Sequence, residues 1–215
     1  MLLLSVDIAA RKGGSNCGVV LIDPLKIVAL GEPSDDLIWV RGIDGTDLAA
    51  IASVIGEAKA YGGALVRESE HGEPKPAGCM MVLERQFTAR MSPDPSAVEK
   101  LISARVRFET VATIRGMPWL SCYPSEWQAV LLELLGADYP MKVLKPRKPK
   151  VPKTKRGQAP TPAPAQQTLV AAPKMIRDTK AAARLLCSRL YPNVELTGDQ
   201  CDALMMARHA WRTLR

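Results

Sequence analysis

The chain has 215 residues, 47% of them hydrophobic and only 5% aromatic, a composition ordinary for a soluble globular protein of one domain with an appendage, or of two compact lobes. No apolar run approaches the ~20 residues of a membrane span, and the opening MLLLSV meets Asp7 without a basic leader, so neither an anchor nor a signal peptide is expected. Five scattered cysteines without a CxxC pair point to reduced thiols in the cytoplasm and away from structural zinc, and two histidines supply poorly any histidine-based metal site or Ser-His-Asp catalysis.

The net charge of +7 is uneven. Ten Lys and Arg and no acids lie between Lys142 and Arg177, which leaves 19 basic against 22 acidic residues elsewhere. The fold proper is therefore slightly acidic.

In chain order, MLLLSVDIA is a short apolar run ending in an acid, as expected of a buried central strand. RKGGSN supplies a turn, and CGVVLID and KIVALGE read as two further strands closed by Pro or Gly. A loop containing LIWVRG leads to a helix over DGTDLAAIASVIGEAKAYG. After the polar loop ESEHGEPKPAG, CMMVLERQF gives a fourth strand that is apolar until Glu84. PSAVEKLISARVRFETVATIRG is a long amphipathic helix with Gly116 as its stop, MPWLSCY a fifth strand, and PSEWQAVLLELLGA a helix opened by proline. DTKAAARLLCSRLYP and GDQCDALMMARHAWRTLR make two final helices.

Residues 142–173 interrupt this pattern. KVLKPRKPKVPKTKR followed by APTPAPAQQ is basic and proline-rich, unable to bury a core, and expected to be extended. A solvated linker is the plain reading. A phosphate-gripping arm carrying Lys145, Arg147, Lys148, Lys150, Lys153, Lys155 and Arg156 suits its unbalanced charge better. The expected organisation is a folded domain from 1–141 and 174–215 with 142–173 as an inserted arm.

Three strands followed by helix–strand alternation predict an α/β fold: a mixed five-stranded sheet, a three-strand meander plus parallel strands, flanked by helices. The first strand then lies beside the fourth, and Asp7 and Glu84 end adjacent strands on the side where open α/β sheets carry their functional crevice. Asp199 and Asp202 open the last helix on one face and can pack beside the same spot. Each acid alone has a bland explanation, as a loop-facing strand end or a helix cap. Together four clustered carboxylates repel one another and call for hard divalent cations, Mg2+ or Mn2+, two of which can share a bridging carboxylate.

The stretches LLLSVDIA, MVLERQF, SARVRFETVATIRGMPWLSCYPSEWQ and GDQCDALMMARHAW resemble the RuvC-type Holliday junction resolvases of the ribonuclease H-like superfamily. In that resemblance Asp7, Glu84, Asp199 and Asp202 match the family's strand Asp, strand Glu and helical D-x-x-D. Phe87 matches an aromatic that stacks on bases at the opened junction centre, and Lys180 is similar to a basic residue near the scissile phosphate. Arg11 and Lys12, in a turn longer than the family's, would meet DNA. Arg67–Pro76 and Lys142–Pro173 look like insertions, as in phage-encoded members.

The resemblance implies structure-selective cutting of four-way or branched DNA with two metal ions per site, by a homodimer, because paired nicks need two active sites about a two-fold axis. The helix Ser96–Arg115 is the expected interface. Three other readings compete: another ribonuclease H-like nuclease acting on an RNA–DNA hybrid, a flap or, as in YqgF-type proteins, RNA; a non-catalytic branched-DNA-binding protein; and a nucleotide-binding ATPase. KGGSNCG prompts the last but lacks the Lys-Ser/Thr of a P-loop.

Overall fold

The computed structural model describes residues 1–11, 14–27, 33–64, 66–68, 74–76, 78–85, 95–144 and 174–215. Strands β1 (Leu2–Arg11), β2 (Gly14–Ile22) and β3 (Leu37–Asp44) form the meander, followed by α1 (Leu48–Ala64). A short antiparallel pair, β4 (Val66–Glu68) with β5 (Pro74–Pro76), lies in the stretch expected to be a polar loop. Then come β6 (Cys79–Glu84), α2 (Pro95–Ile114), β7 (Trp119–Cys122) and α3 (Pro124–Leu135). β8 (Met141–Val143) and β9 (Met175–Arg177), unforeseen in the sequence, pair antiparallel at the base of the basic segment. The chain closes with α4 (Thr179–Leu190) and α5 (Gly198–Leu214).

The main sheet has the order β3-β2-β1-β6-β7. β1 and β2, and β2 and β3, are antiparallel; β1–β6 and β6–β7 are parallel. This is the expected mixed sheet, with β1 central and beside the Glu84 strand.

One expected loop is corrected, and most of one expected strand lies outside the described residues. In KIVALGE, Lys26 ends a 3-10 turn (Pro24–Lys26) whose first residue is a proline and whose cap, Asp23, accepts from the Leu25 N–H at 3.3 Å; residues 28–32 lie outside those described. The described strand that pairs with β2 is the stretch read as a loop, LIWVRGID. An edge strand is held by one neighbour and needs only partial burial, so its apolar signal is weaker than that of the run before it. Pairing with β2, Val20 opposite Val40 and Cys17 opposite Ile43, decides the matter.

The two-residue period of a strand sorts β1 between two cores. Leu2, Leu4, Val6 and Ile8 join Met81 and Leu83 of β6 under α1 and α2. Leu3 joins Val82 under α3, α4 and α5. Both faces are covered, so β1 reads as a continuous apolar run rather than an alternating one. On α2 the fully buried Ala104, Phe108 and Ala112 form one row at helical spacing. The helix stops at Gly116, whose φ of +64° suits a residue without a side chain.

A buried polar knot ties the α5 side to the meander. Asp36, fully buried before β3, accepts from the Tyr191 hydroxyl at 2.7 Å, from Arg208 Nη2 at 3.0 Å, and from the Ser34 hydroxyl. Arg208 also donates to Tyr191 at 2.9 Å and lies over its ring. Burying two opposite charges costs desolvation that only good geometry and added hydrogen bonds offset; here the hydrogen bonds converge on Asp36 Oδ1, while Asp36 Oδ2 and Arg208 Nη1 are buried without a hydrogen-bond partner among the described residues.

Candidate active site

Parity and register build the site. Asp7 shares the face of Leu3, and Glu84 that of Val82, so both acids turn toward the α5 layer. Val6 pairs with Leu83, which sets Asp7 and Glu84 side by side one residue further on.

The helix arrives by a capping box. The Thr197 hydroxyl accepts from the Gln200 N–H at 3.4 Å, and the Gln200 side chain accepts from the Thr197 N–H at 2.9 Å. The cap is thus Thr197, and Asp199 is a first-turn acid, 3% exposed. Gly18 of β2, cross-strand partner of Asp7, lies under this turn so closely that any Cβ there would fall against the Asp199 carbonyl.

A cleft of about 530 Å³ opens at the strand ends. Asp7, Glu84 and Asp202 line it, with Lys180 and Thr179 from the start of α4 and Pro124, Trp127 and Gln128 from α3. Asp199 does not line the cleft but raises the proton affinity of both Asp7 and Asp202. The Trp127 indole N–H donates to Glu84 Oε1 at 3.1 Å.

Burial dominates the electrostatics. It raises Asp7 well above the ordinary carboxylate range, and the charges of Glu84, Asp202 and Asp199 push it further against the pull of Lys180. Asp202 is raised to about 6, mainly by burial, with Lys180 and Arg184 opposing. Glu84 is raised by burial, while the Trp127 hydrogen bond and Lys180 pull it down. Such perturbed acids gathered in a cleft mark functional sites. Cys17, Cys79 and Cys122 are each pushed up to about 12 by burial, so they stay thiols at neutral pH and offer no thiolate nucleophile.

Among the described residues, no three His, Cys, Asp or Glu side chains already stand in the arrangement of a metal cage. The donor set nonetheless suits hard cations. It is all carboxylate oxygen, and Asp7, Glu84 and Asp202 are raised in proton affinity by burial first, Asp7 and Asp202 also by neighbouring acids, a condition a divalent ion relieves.

The structure therefore brings together Asp7, Glu84, Asp202 and Lys180, with Asp199 on the adjoining turn. Phe87, Lys12, Lys145, Arg147, Lys148, Lys150, Lys153, Lys155 and Arg156 lie outside the described residues, and of Arg11 only the backbone, paired with Gly14, is described. Sequence reasoning missed Trp127, Gln128, Thr179, Arg184 and Gly18. For Trp127 a signal existed, a tryptophan one turn into a helix that starts beside the Glu84 strand. Gly18 carried none, because its neighbour Asp199 lies far along the chain. No helix among the described residues is long and apolar enough to cross a membrane.

No protein-family model and no curated protein matches the chain. Solved structures do, among them the following two. T. thermophilus RuvC in complex with a Holliday junction substrate superposes with a TM-score of 0.51 at 11% identity, covering 100% of this chain and 95% of that one. A second Thermus thermophilus RuvC structure gives 0.52 at 14%, covering 100% and 96%. The chain has a RuvC-like, ribonuclease H-like fold.

Proposed function

We propose that the protein is a metal-dependent endonuclease that resolves four-way or otherwise branched DNA. The observation that carries this reading is the meeting of Asp7, Glu84 and Asp202, from two strands and a late helix, in one cleft beside Lys180. The RuvC-like fold supports it, because T. thermophilus RuvC has been captured with a Holliday junction substrate.

Asp7, Glu84, Asp199 and Asp202 would hold Mg2+ or Mn2+, two ions per site, which when bound supply an activated water and charge neutralisation at a phosphodiester. The chain's own residues set the stage for this. Burial strips water from the carboxylates, so their affinity for a cation is high and for bulk solvent low. Lys180 offsets part of their negative charge and stands ready to pair with a scissile phosphate oxygen. The products would be a 5′-phosphate and a 3′-hydroxyl, without a covalent protein intermediate.

The wider interface follows from the sequence. Phe87 would stack on bases opened at the branch point, while Arg11, Lys12 and the seven cations from Lys145 to Arg156 would grip phosphates, which position the DNA without reading its sequence. Two sites about a two-fold axis make a homodimer the working assembly. Ile102 and Val106, exposed on α2, suit its interface.

The test is cleavage of labelled four-way junction, linear duplex, flap and RNA–DNA hybrid, each with Mg2+ or with chelator. Paired, Mg2+-dependent nicks in the junction and little cutting of linear duplex are expected. Preferred cutting of hybrid or flap would reassign the substrate, and junction binding without cutting would leave a binding protein.

A further inference from the structure

We propose that Trp127 is the positioning residue of Glu84, holding its carboxylate in one orientation for a divalent cation. The proposal rests on the metal-site reading above and deepens it.

The connection between the two residues is short and rigid. Glu84 pairs with Cys122 in the parallel β6–β7 ladder, and the Arg85 N–H donates to the Cys122 carbonyl at 2.7 Å. The chain then turns at Tyr123, whose N–H donates to Glu126 Oε2 at 2.6 Å, and enters α3 through Pro124. Proline fixes φ for the first helical residue and so the direction of the helix. Trp127 comes back over the sheet five residues after the ladder partner of Glu84, is 3% exposed, and packs among Leu131, Val82 and Cys122.

Packing alone asks nothing of an indole nitrogen. The N–H is a donor only, and here it spends that capacity on Glu84 Oε1 at 3.1 Å, in the cleft that Asp7 and Asp202 also line. A glutamate has three side-chain torsions to freeze before it can ligate. A donor fixed in a packed ring removes that freedom in advance and leaves the carboxylate preorganised. Outer partners of ligands act in this way, and their loss typically lowers metal affinity by roughly 10–100-fold.

Trp127→Phe keeps an aromatic ring in the core and deletes the donor together with the five-membered half of the indole. The probe is Mn2+ alone, titrated calorimetrically into chelator-stripped wild type and variant without DNA. The variant is expected to bind Mn2+ roughly 10–100-fold more weakly while remaining folded in EDTA, with a midpoint lowered only by the cavity the smaller ring leaves. Should the variant fail to fold, wild-type protein labelled at its indole nitrogens supplies a second readout: one of the four tryptophan N–H resonances, the same one displaced in Glu84→Gln, should shift on Mg2+ addition. Unchanged affinity in a folded Trp127→Phe, or no indole response to Mg2+, overturns the assignment of Trp127 alone. Wild-type protein that takes up no Mn2+ overturns the metal-site reading and this inference with it.

Discussion

Gly18 of β2 lies directly beneath Asp199 of α5: a Cβ at position 18 would collide with the Asp199 carbonyl and stand 2.6 Å from the Gln200 nitrogen. Because Gly18 is also the cross-strand partner of Asp7, this contact sets how near the helical acids come to the strand acid. Gly18→Ala must therefore lift the first turn of α5. It is expected to destabilise by about 1–3 kcal/mol, the usual cost of overpacking, and to depress cleavage far more than that loss explains. Denaturant melts and junction cleavage on the same preparation check this; full cleavage by a folded Gly18→Ala would separate the turn from the chemistry.

Asp7 is buried among acids that raise its proton affinity, so its ionised form costs the metal-free protein stability. Asp7→Asn should raise the melting midpoint in EDTA by an amount equivalent to about 1 kcal/mol or more, as when a strained functional site is relieved. The same change should abolish Mg2+-dependent cutting while sparing junction binding. A lower midpoint in EDTA would contradict the electrostatic picture.

Stability of the metal-free protein should also fall as pH rises from about 4 to about 6. Asp202 titrates near 6 in the folded protein against 3.8 ordinarily, so in that window the folded chain keeps a proton that the unfolded chain releases. Its contribution is full below the unfolded value and is lost as pH climbs through the folded one, at most about 1.4 kcal/mol per unit and about 3 kcal/mol overall. Asp202→Asn should flatten the slope in urea titrations with chelator. Mg2+ added at pH 7–8 should restore stability by mass action.

Away from the site, Arg208 and Asp36 form the buried knot of the α5 layer. Arg208→Met leaves a buried carboxylate with one charged partner fewer and is expected to cost about 3–5 kcal/mol, read as a lower urea midpoint. The exposed Arg212–Glu133 pair is the control, and its removal should leave the midpoint nearly unchanged.

Deleting Lys145–Pro164 removes seven cations. Junction affinity should drop, and its log–log dependence on salt should flatten by up to about 6 if every cation meets a phosphate. An unchanged slope would reduce the segment to a linker.

The acids were legible in the sequence because each sits where a local pattern changes: Asp7 and Glu84 after apolar runs, Asp199 in the first turn of a helix and Asp202 three residues on. β3 was not, since half-buried LIWVRGID carries a weak apolar signal until pairing with β2 fixes it as an edge strand. Trp127 read as an ordinary helix residue: its place one turn into a helix was visible, but not that its N–H donates to a glutamate forty-three residues earlier.

The sequence by itself determined the strands β1, β2, β6 and β7, the five helices, the central place of β1 and which carboxylates were candidates, since hydrophobic period, turn residues and caps act over a few neighbours. Only the tertiary structure decided which acids share a cleft, that Gly18 admits the helix and that Trp127 holds Glu84. Those depend on ladder register and close packing, which join residues far apart in the chain by distances no local pattern encodes.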